Sequence, residues 1–259
     1  MEDNDRQVWI GAALFVAVIA AGVLIYRFAS APPPMTAAAP PPAPAPAAAP
    51  AAALPKLEES DAFVRGRAAA LSPDPRFAEW LKNDDLAARL TAAANLIARG
   101  QVPADAFKFL APRSKFPALR RGGKIFMDPR GYARYDALAN AVASLDAPAA
   151  ASFFRDLKPL FQQAWNSLGE KGGDVQDVFV RAVSELLRAP NLGGVVELKE
   201  GKKGIVYVFA DGAVEGLSPA QKQLLRMGPK NARRVQLKLR EIALALGASN
   251  TELPLVPAL

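Results

Sequence analysis

Neither cysteine nor histidine occurs anywhere in this 259-residue chain. Without thiols there is no disulfide, no thiolate nucleophile and no cysteine ligand for zinc or iron–sulfur. Without imidazole there is no His-based zinc site and no triad that relies on histidine as its base. The lack of cysteine fits a reducing or an oxidising compartment equally well. Glycine-rich nucleotide signatures are missing too: neither a P-loop nor a G-x-G-x-x-G occurs, and no serine is followed by lysine three residues later.

Long apolar runs are scarce, with one exception. Val8 to Tyr26 is nineteen residues without a charge, enough at about 1.5 Å per residue to span a hydrocarbon core of roughly 30 Å. Trp9 and Tyr26 flank it at the depths where amphipathic rings sit in a bilayer. The competing reading is a cleaved signal peptide ending near Ala29-Ser30-Ala31. The acidic start "MEDNDR", the length of the run and Arg27 before the small-residue site favour a retained anchor. Arg6 and Arg27 balance across the span, so the positive-inside rule leaves its orientation open. Residues 30–55 are almost wholly proline and alanine, a composition that builds no core and favours extended polyproline II, reaching up to about 80 Å. A short tail, one span, a stiff tether and a distal domain form the usual layout of a bacterial inner-membrane protein with a periplasmic domain. Negative charge is scarce beyond the tether. Residues 1–55 hold Arg6 and Arg27 against Glu2, Asp3 and Asp5, leaving 30 basic and 22 acidic residues in 56–259. That excess suits weak attraction to anionic partners.

From Leu57 onward the pattern is mainly α, punctuated by caps. Ser60 precedes "DAFVRGRAAAL", Asn83 precedes "DDLAARLTAAANLIARG", and Asp128-Pro129 opens "RGYARYDALANAVASL". Asp146 begins a longer helix in which Phe153, Leu157, Leu160 and Phe161 share a face, Pro159 introduces a kink and Gly169 stops the run. Asp174 begins another helix, closed by Pro190. Val195–Leu198 and Ile205–Phe209 read as a β-hairpin, and Lys124–Met127 as a third short strand. The expected organisation is a tail (1–7), a transmembrane helix (8–26), a Pro/Ala-rich linker (27–55), a mostly α-helical domain with a small β-hairpin (56–247) and a flexible tail (248–259).

Ser218, Pro219 and Gln221 form a capping box with proline at the first helical position, and Gly228-Pro229 separates this helix from the next. On a helical projection from Pro229, Ala232, Val235, Leu239, Ile242 and Leu246 fall within about 80°, while Arg240, Arg233, Lys230, Arg234 and Lys238 spread over about 160° opposite. Leu237 and Leu244 fall inside the basic sector. Either another element covers them or they belong to a docking surface rimmed with cations. The candidate partner-facing surface is therefore Lys230, Arg233, Arg234, Leu237, Lys238, Arg240 and Leu244. The acidic groups Glu58/Glu59/Asp61, Asp84/Asp85, Asp174/Asp177 and Glu197/Glu200 resemble a carboxylate site, but first-turn positions give several of them a helix-dipole role instead. "RRGGK" (Arg120–Lys124) reads as a basic turn, and "ARYD" as a packed Tyr135 between solvated charges.

Four segments together resemble one bacterial family, domain of unknown function 3014: "LEESDAFV" (57–64), "NLIARGQVP" (95–103), "GYARYDALANAVASLD" (131–146) and "FADGAVEGLSPAQKQLLRMGPKNARRVQLKLREI" (209–242). Ala94 stands where members usually show an aspartate. The resemblance implies a membrane-tethered domain and supplies no catalytic positions. The expectation is a non-enzymatic interaction or scaffold module of the envelope, with no catalytic residue, cofactor or metal, binding an envelope protein or an anionic glycan. A nucleic-acid binder tethered on the cytoplasmic face is the alternative. A helix-turn-helix commonly needs a turn of 3–4 residues, longer than Gly228-Pro229 provides.

Overall fold

The computed structural model describes residues 54–104, 116–170, 172–201 and 206–258. The expected tail (1–7), membrane helix (8–26) and all but the last two residues of the linker lie outside the described residues. Among the described residues, no single helix is long and apolar enough to cross a membrane.

The domain is mostly helical, as its cap pattern implies. Helix α1 (Asp61–Ala68) lies between two 3-10 turns and is followed by α2 (Pro75–Trp80) and α3 (Leu86–Ala98). Strands β1 (Ala118–Arg121) and β2 (Lys124–Met127) precede a 3-10 turn, Pro129–Tyr135, that runs into α4 (Asp136–Ala143). Helices α5 (Ala147–Ser167) and α6 (Val175–Leu187) come next, then β3 (Glu197–Glu200), β4 (Tyr207–Phe209), α7 (Gly212–Glu215), α8 (Pro219–Leu225) and α9 (Pro229–Ala245).

Local capping accounts for most helix starts. The carboxylates of Asp128, Asp146 and Asp174 accept from the backbone N–H groups of Arg130, Ala149 and Gln176 at 2.7–2.9 Å. The Ser218/Gln221 capping box forms in both directions. Asp74 and Pro75 start α2 by the same device. Pro159 sits within α5, which is continuous from Ala147 to Ser167. Two expected caps are corrected. Ser60 turns its hydroxyl back to donate to the Leu57 carbonyl at 2.7 Å, and Asn83 donates its side-chain amide to the Trp80 carbonyl. Helix α3 instead begins after Asp85, held at φ +58°, and Asp61 from α1 accepts the N–H groups of Asp85 and Leu86 at 2.7 and 2.8 Å. One carboxylate therefore favours its own helix dipole and caps the next helix.

The main core lies between α3, α5, α6 and α9, with α4 packed against α9. Phe154 stacks on Phe161 at 5.2 Å and meets Phe179 edge-on at 4.8 Å. Helix C-termini are completed by neighbours. Buried Gln236 donates to the Leu186 and Ala189 carbonyls at 3.0 Å each, Gln221 to Glu185, and Gln176 to Leu246. These bonds satisfy carbonyls that the helices themselves leave open.

The expected hairpin is half of a larger element. Four antiparallel strands pair in the order β1-β2-β3-β4, with Ile125 opposite Leu198 and Leu198 opposite Phe209. Lys124–Met127 is β2, as expected. Strand β1, "ALRR", was not anticipated, because it carries no β-branched or aromatic residue and is largely exposed. It makes "RRGGK" a two-residue hairpin turn, with Gly122 and Gly123 at φ +56° and +74° as a I′ geometry requires. Ile125, Met127, Leu198 and Phe209 form a second cluster with Leu225 of α8.

Candidate functional site

Helix α9 places the candidate surface as the projection expects on one side only. Ala232, Val235, Leu239, Ile242 and Leu246 are all buried. The opposite sector is partly occupied by the chain itself. Residues 248–258, expected as a tail, run back along α9 as a strap: Arg240 donates to the Asn250 side-chain oxygen at 2.7 Å, and Arg233 Nε to the Pro257 carbonyl at 3.3 Å. Between these anchors Leu253 enters the main core at 4% exposure, with Ala248 and Val256 packed beside it. Leu244 packs against the same core. Lys238 pairs with Glu241 at 2.6 Å and its side chain is only 15% exposed. Four of the seven candidates, Arg233, Lys238, Arg240 and Leu244, are thus engaged within the domain. The other three form a ridge: exposed Lys230, half-buried Arg234 and Leu237, which is 43% exposed. Leu255, on the strap between the two arginine anchors, is 80% exposed.

The acidic candidates are dispersed. Asp61 caps α3, Asp174 caps α6 and pairs with Lys158 at 2.5 Å, and Glu197 and Glu200 bridge to Lys124 and Arg120 across the sheet. Among the described residues, no group of three or more His, Cys, Asp or Glu could hold a metal ion.

A different cluster forms where two distant segments meet. Tyr135 is fully buried at the end of the 3-10 turn, and its hydroxyl accepts from Arg134 at 3.1 Å. The Gln223 side chain, from α8, also lies against that hydroxyl. Burial raises the phenol above its ordinary value, so it stays protonated. The Arg134 guanidinium stacks over the Tyr135 and Phe116 rings at 4.8 and 5.0 Å. Arg226, one turn beyond Gln223, lies over Phe209 at 5.4 Å, and burial lowers its pKa against the opposing pull of Tyr135 and Glu215. Both Glu215 oxygens are engaged: Oε1 takes Lys222 Nζ at 2.6 Å and Oε2 takes the Phe209 N–H at 2.8 Å. Burial alone would raise that carboxyl, but these hydrogen bonds hold it below the usual range. Nearby, Asn231 donates to Asp136 at 2.8 Å and to the Tyr132 carbonyl, joining α9 to α4. Tyr135 packs as "ARYD" implies, while Asp136 serves Asn231. The meeting of Tyr135 with Arg226 was not legible, since it depends on tertiary folding.

Residues 86–243 match the family described as protein of unknown function, DUF3014. The chain belongs to this family. No curated protein and no solved structure matches it. The DUF3014 region covers α3 to within two residues of the end of α9, so the Tyr135–Arg226 cluster lies wholly inside it. Helices α1 and α2 and the strap lie outside. In this DUF3014 protein the ridge residues Lys230, Arg234 and Leu237 therefore sit on family scaffold, whereas the strap beside them is contributed from beyond it.

Proposed function

We propose that this DUF3014 protein is a membrane-tethered, non-enzymatic interaction or scaffold module of the bacterial cell envelope, with its domain on the periplasmic side. The uncharged run Val8–Tyr26 and the Pro/Ala tether after it support the anchoring. The observation that carries the interaction reading is the ridge of α9. Leu237 remains 43% exposed on the same side of α9 as cationic Lys230 and Arg234, one turn beyond Arg234, and the strap along this helix presents Leu255. Apolar side chains set among cations suit an acidic protein surface or an anionic envelope glycan, with charge guiding approach and leucine supplying contact.

Two measurements test the reading. Intact protein should fractionate with membranes, and protease added to spheroplasts should remove the domain. A domain degraded only after lysis would overturn the periplasmic placement and favour a cytoplasmic-facing nucleic-acid binder, whose affinity for duplex would fall steeply with salt. Lys230→Glu combined with Arg234→Glu should leave the melting temperature nearly unchanged while reducing recovery of cross-linked envelope partners. Unchanged recovery, with folding intact, would remove the ridge from the proposal.

A further inference from the structure

The strap lies on α9 with few bonds of its own. Among the described residues, no backbone–backbone hydrogen bond joins residues 249–258 to another element: the Glu252 and Leu253 amides both turn back to the Ser249 carbonyl. What holds the strap is the buried Leu253 side chain, with Val256 beside it, and two arginines of α9, Arg240 on Asn250 and Arg233 on Pro257. One of these arginines is only half served. The Nε and Nη2 donors share one edge of a guanidinium, the edge that a carboxylate meets with both oxygens. On Arg240, Nη2 donates to the side-chain oxygen and the carbonyl of Asn250 at 2.7 and 3.2 Å, while Nε is buried without an acceptor. An asparagine side chain has a single oxygen, and its amide nitrogen is itself a donor, so it cannot complete the pair. Charge is mismatched as well. Among the described residues, Lys238 with Glu241 is the one ion pair of α9, which leaves Lys230, Arg233, Arg234 and Arg240 without a carboxylate. The strap brings one acid, Glu252, and that side chain is exposed.

We infer that the strap is a replaceable occupant of a peptide-binding groove on α9, and that it stands in for an acidic segment of a partner protein. That segment places a carboxylate where Asn250 lies and an apolar side chain where Leu253 lies. The room for it is the volume that the strap itself fills. The carboxylate accepts from Nη2 and Nε of Arg240 together, and the apolar side chain enters the slot that Leu253 leaves. Arg233 is freed in the same exchange. The inference rests on the proposed interaction reading and adds a control to it, since the cationic face of α9 is complete only when the strap is displaced.

Fluorescence anisotropy of the full-length chain in detergent tests it, with a labelled peptide of residues 248–259 carrying Asn250→Asp as the probe. In the wild-type chain the strap competes from within, so the measured affinity is reduced by the fraction of molecules whose groove is open. Leu253→Ala in the chain loosens the strap and should strengthen probe binding by about tenfold or more. Where that variant does not fold, Leu253→Val takes its place and should still bind the probe more tightly than wild type does. The unsubstituted peptide should bind about tenfold more weakly than the probe, because it lacks the second oxygen. Asn250→Asp in the chain gives Arg240 its carboxylate in place and should raise the melting temperature by about 2–4 °C. Lys230→Glu with Arg234→Glu should leave the preference for aspartate over asparagine intact, since that preference belongs to Arg240, so the ridge and the groove fail separately. The inference is overturned if the loosened variant binds the probe no better than wild type, if the two peptides bind alike, or if Asn250→Asp fails to raise the melting temperature. A scrambled peptide of the probe's composition that binds as tightly, or polygalacturonate that displaces the probe at equal charge, would overturn it too, because either would reduce the groove to general attraction for anions.

Discussion

Gly228 and Gln236 show how much one position can hold. Gly228 sits at φ +81°, and a Cβ there would lie 2.4 Å from the Tyr132 ring. Gly228→Ala meets both a backbone that L-residues avoid and a rigid ring, so it should destabilise by about 2–4 kcal/mol, read from the urea midpoint. Adding Tyr132→Ala should recover the steric part in a double-mutant cycle. Gln236 is instructive in the opposite sense. Its 1% exposure suggests that leucine would fit better, yet its amide serves two carbonyls at the end of α6. Gln236→Leu strands the Ala189 carbonyl and leaves Leu186 with only the Ala189 N–H, and should cost about 1–3 kcal/mol despite the gain in apolar character. A neutral or stabilising result would mean that water replaces the amide.

At the scale of elements, the strap is the clearest surprise. Leu253 is buried among residues whose sequence, "ASNTELPLVPAL", has neither helical nor strand period. Leu253→Ala should lower stability by about 2–4 kcal/mol, whereas Leu255→Ala, at an exposed site, should leave the urea midpoint within error. Comparable effects from both would show that the strap is not held by Leu253. The contrast also explains which elements could be read. Helix starts were legible at Asp128, Asp146, Asp174 and Ser218 because cap and amide lie within three residues of each other. Ser60 was misread because its hydroxyl bonds back to Leu57 in the preceding 3-10 turn, and Asn83 because α3 takes its cap from Asp61, which is close only after folding. Strand β2 was legible from "KIFM", but β1 was not, since "ALRR" gains its strand identity from β2 beside it. The buried stripe of α9 followed from periodicity alone. The occupied part of its basic sector did not, because periodicity identifies a face without naming what covers it. The Tyr135–Arg226 cluster has no local signature at all.

For the whole molecule, the missing histidines and cysteines shape the response to pH. No side chain present ordinarily titrates between pH 5 and 8, so the melting temperature should be nearly flat there. Asp174 and Asp128 are held below the ordinary carboxylate range chiefly by hydrogen bonds from Lys158 and Arg130, and Glu215 is lowered despite its burial. Depressed folded values mean that their contribution is complete above the ordinary carboxylate range, about pH 4, and is lost as pH falls through the lower folded values. Stability should therefore decline in acid below about pH 4, and Lys158→Met should shrink the part of that decline due to Asp174. A steep transition near pH 6 would contradict this assignment.

The sheet carries a last consequence, for the order in which the chain acquires its structure. Strands β1 and β2 are joined by two residues and can pair as soon as they exist, but β2 pairs with β3 only across α4, α5 and α6. Closing a loop of about seventy residues costs on the order of 4 kcal/mol if the intervening chain is still unstructured, and much of that entropy is already spent once those helices have packed. The Ile125–Leu198 pairing should accordingly form late in refolding, so that the completed sheet acts as a latch on a helical layer already in place. In pulsed hydrogen exchange, the Met127 amide, which bonds to the Val196 carbonyl across this junction, should gain protection after the amides inside α5 and α6.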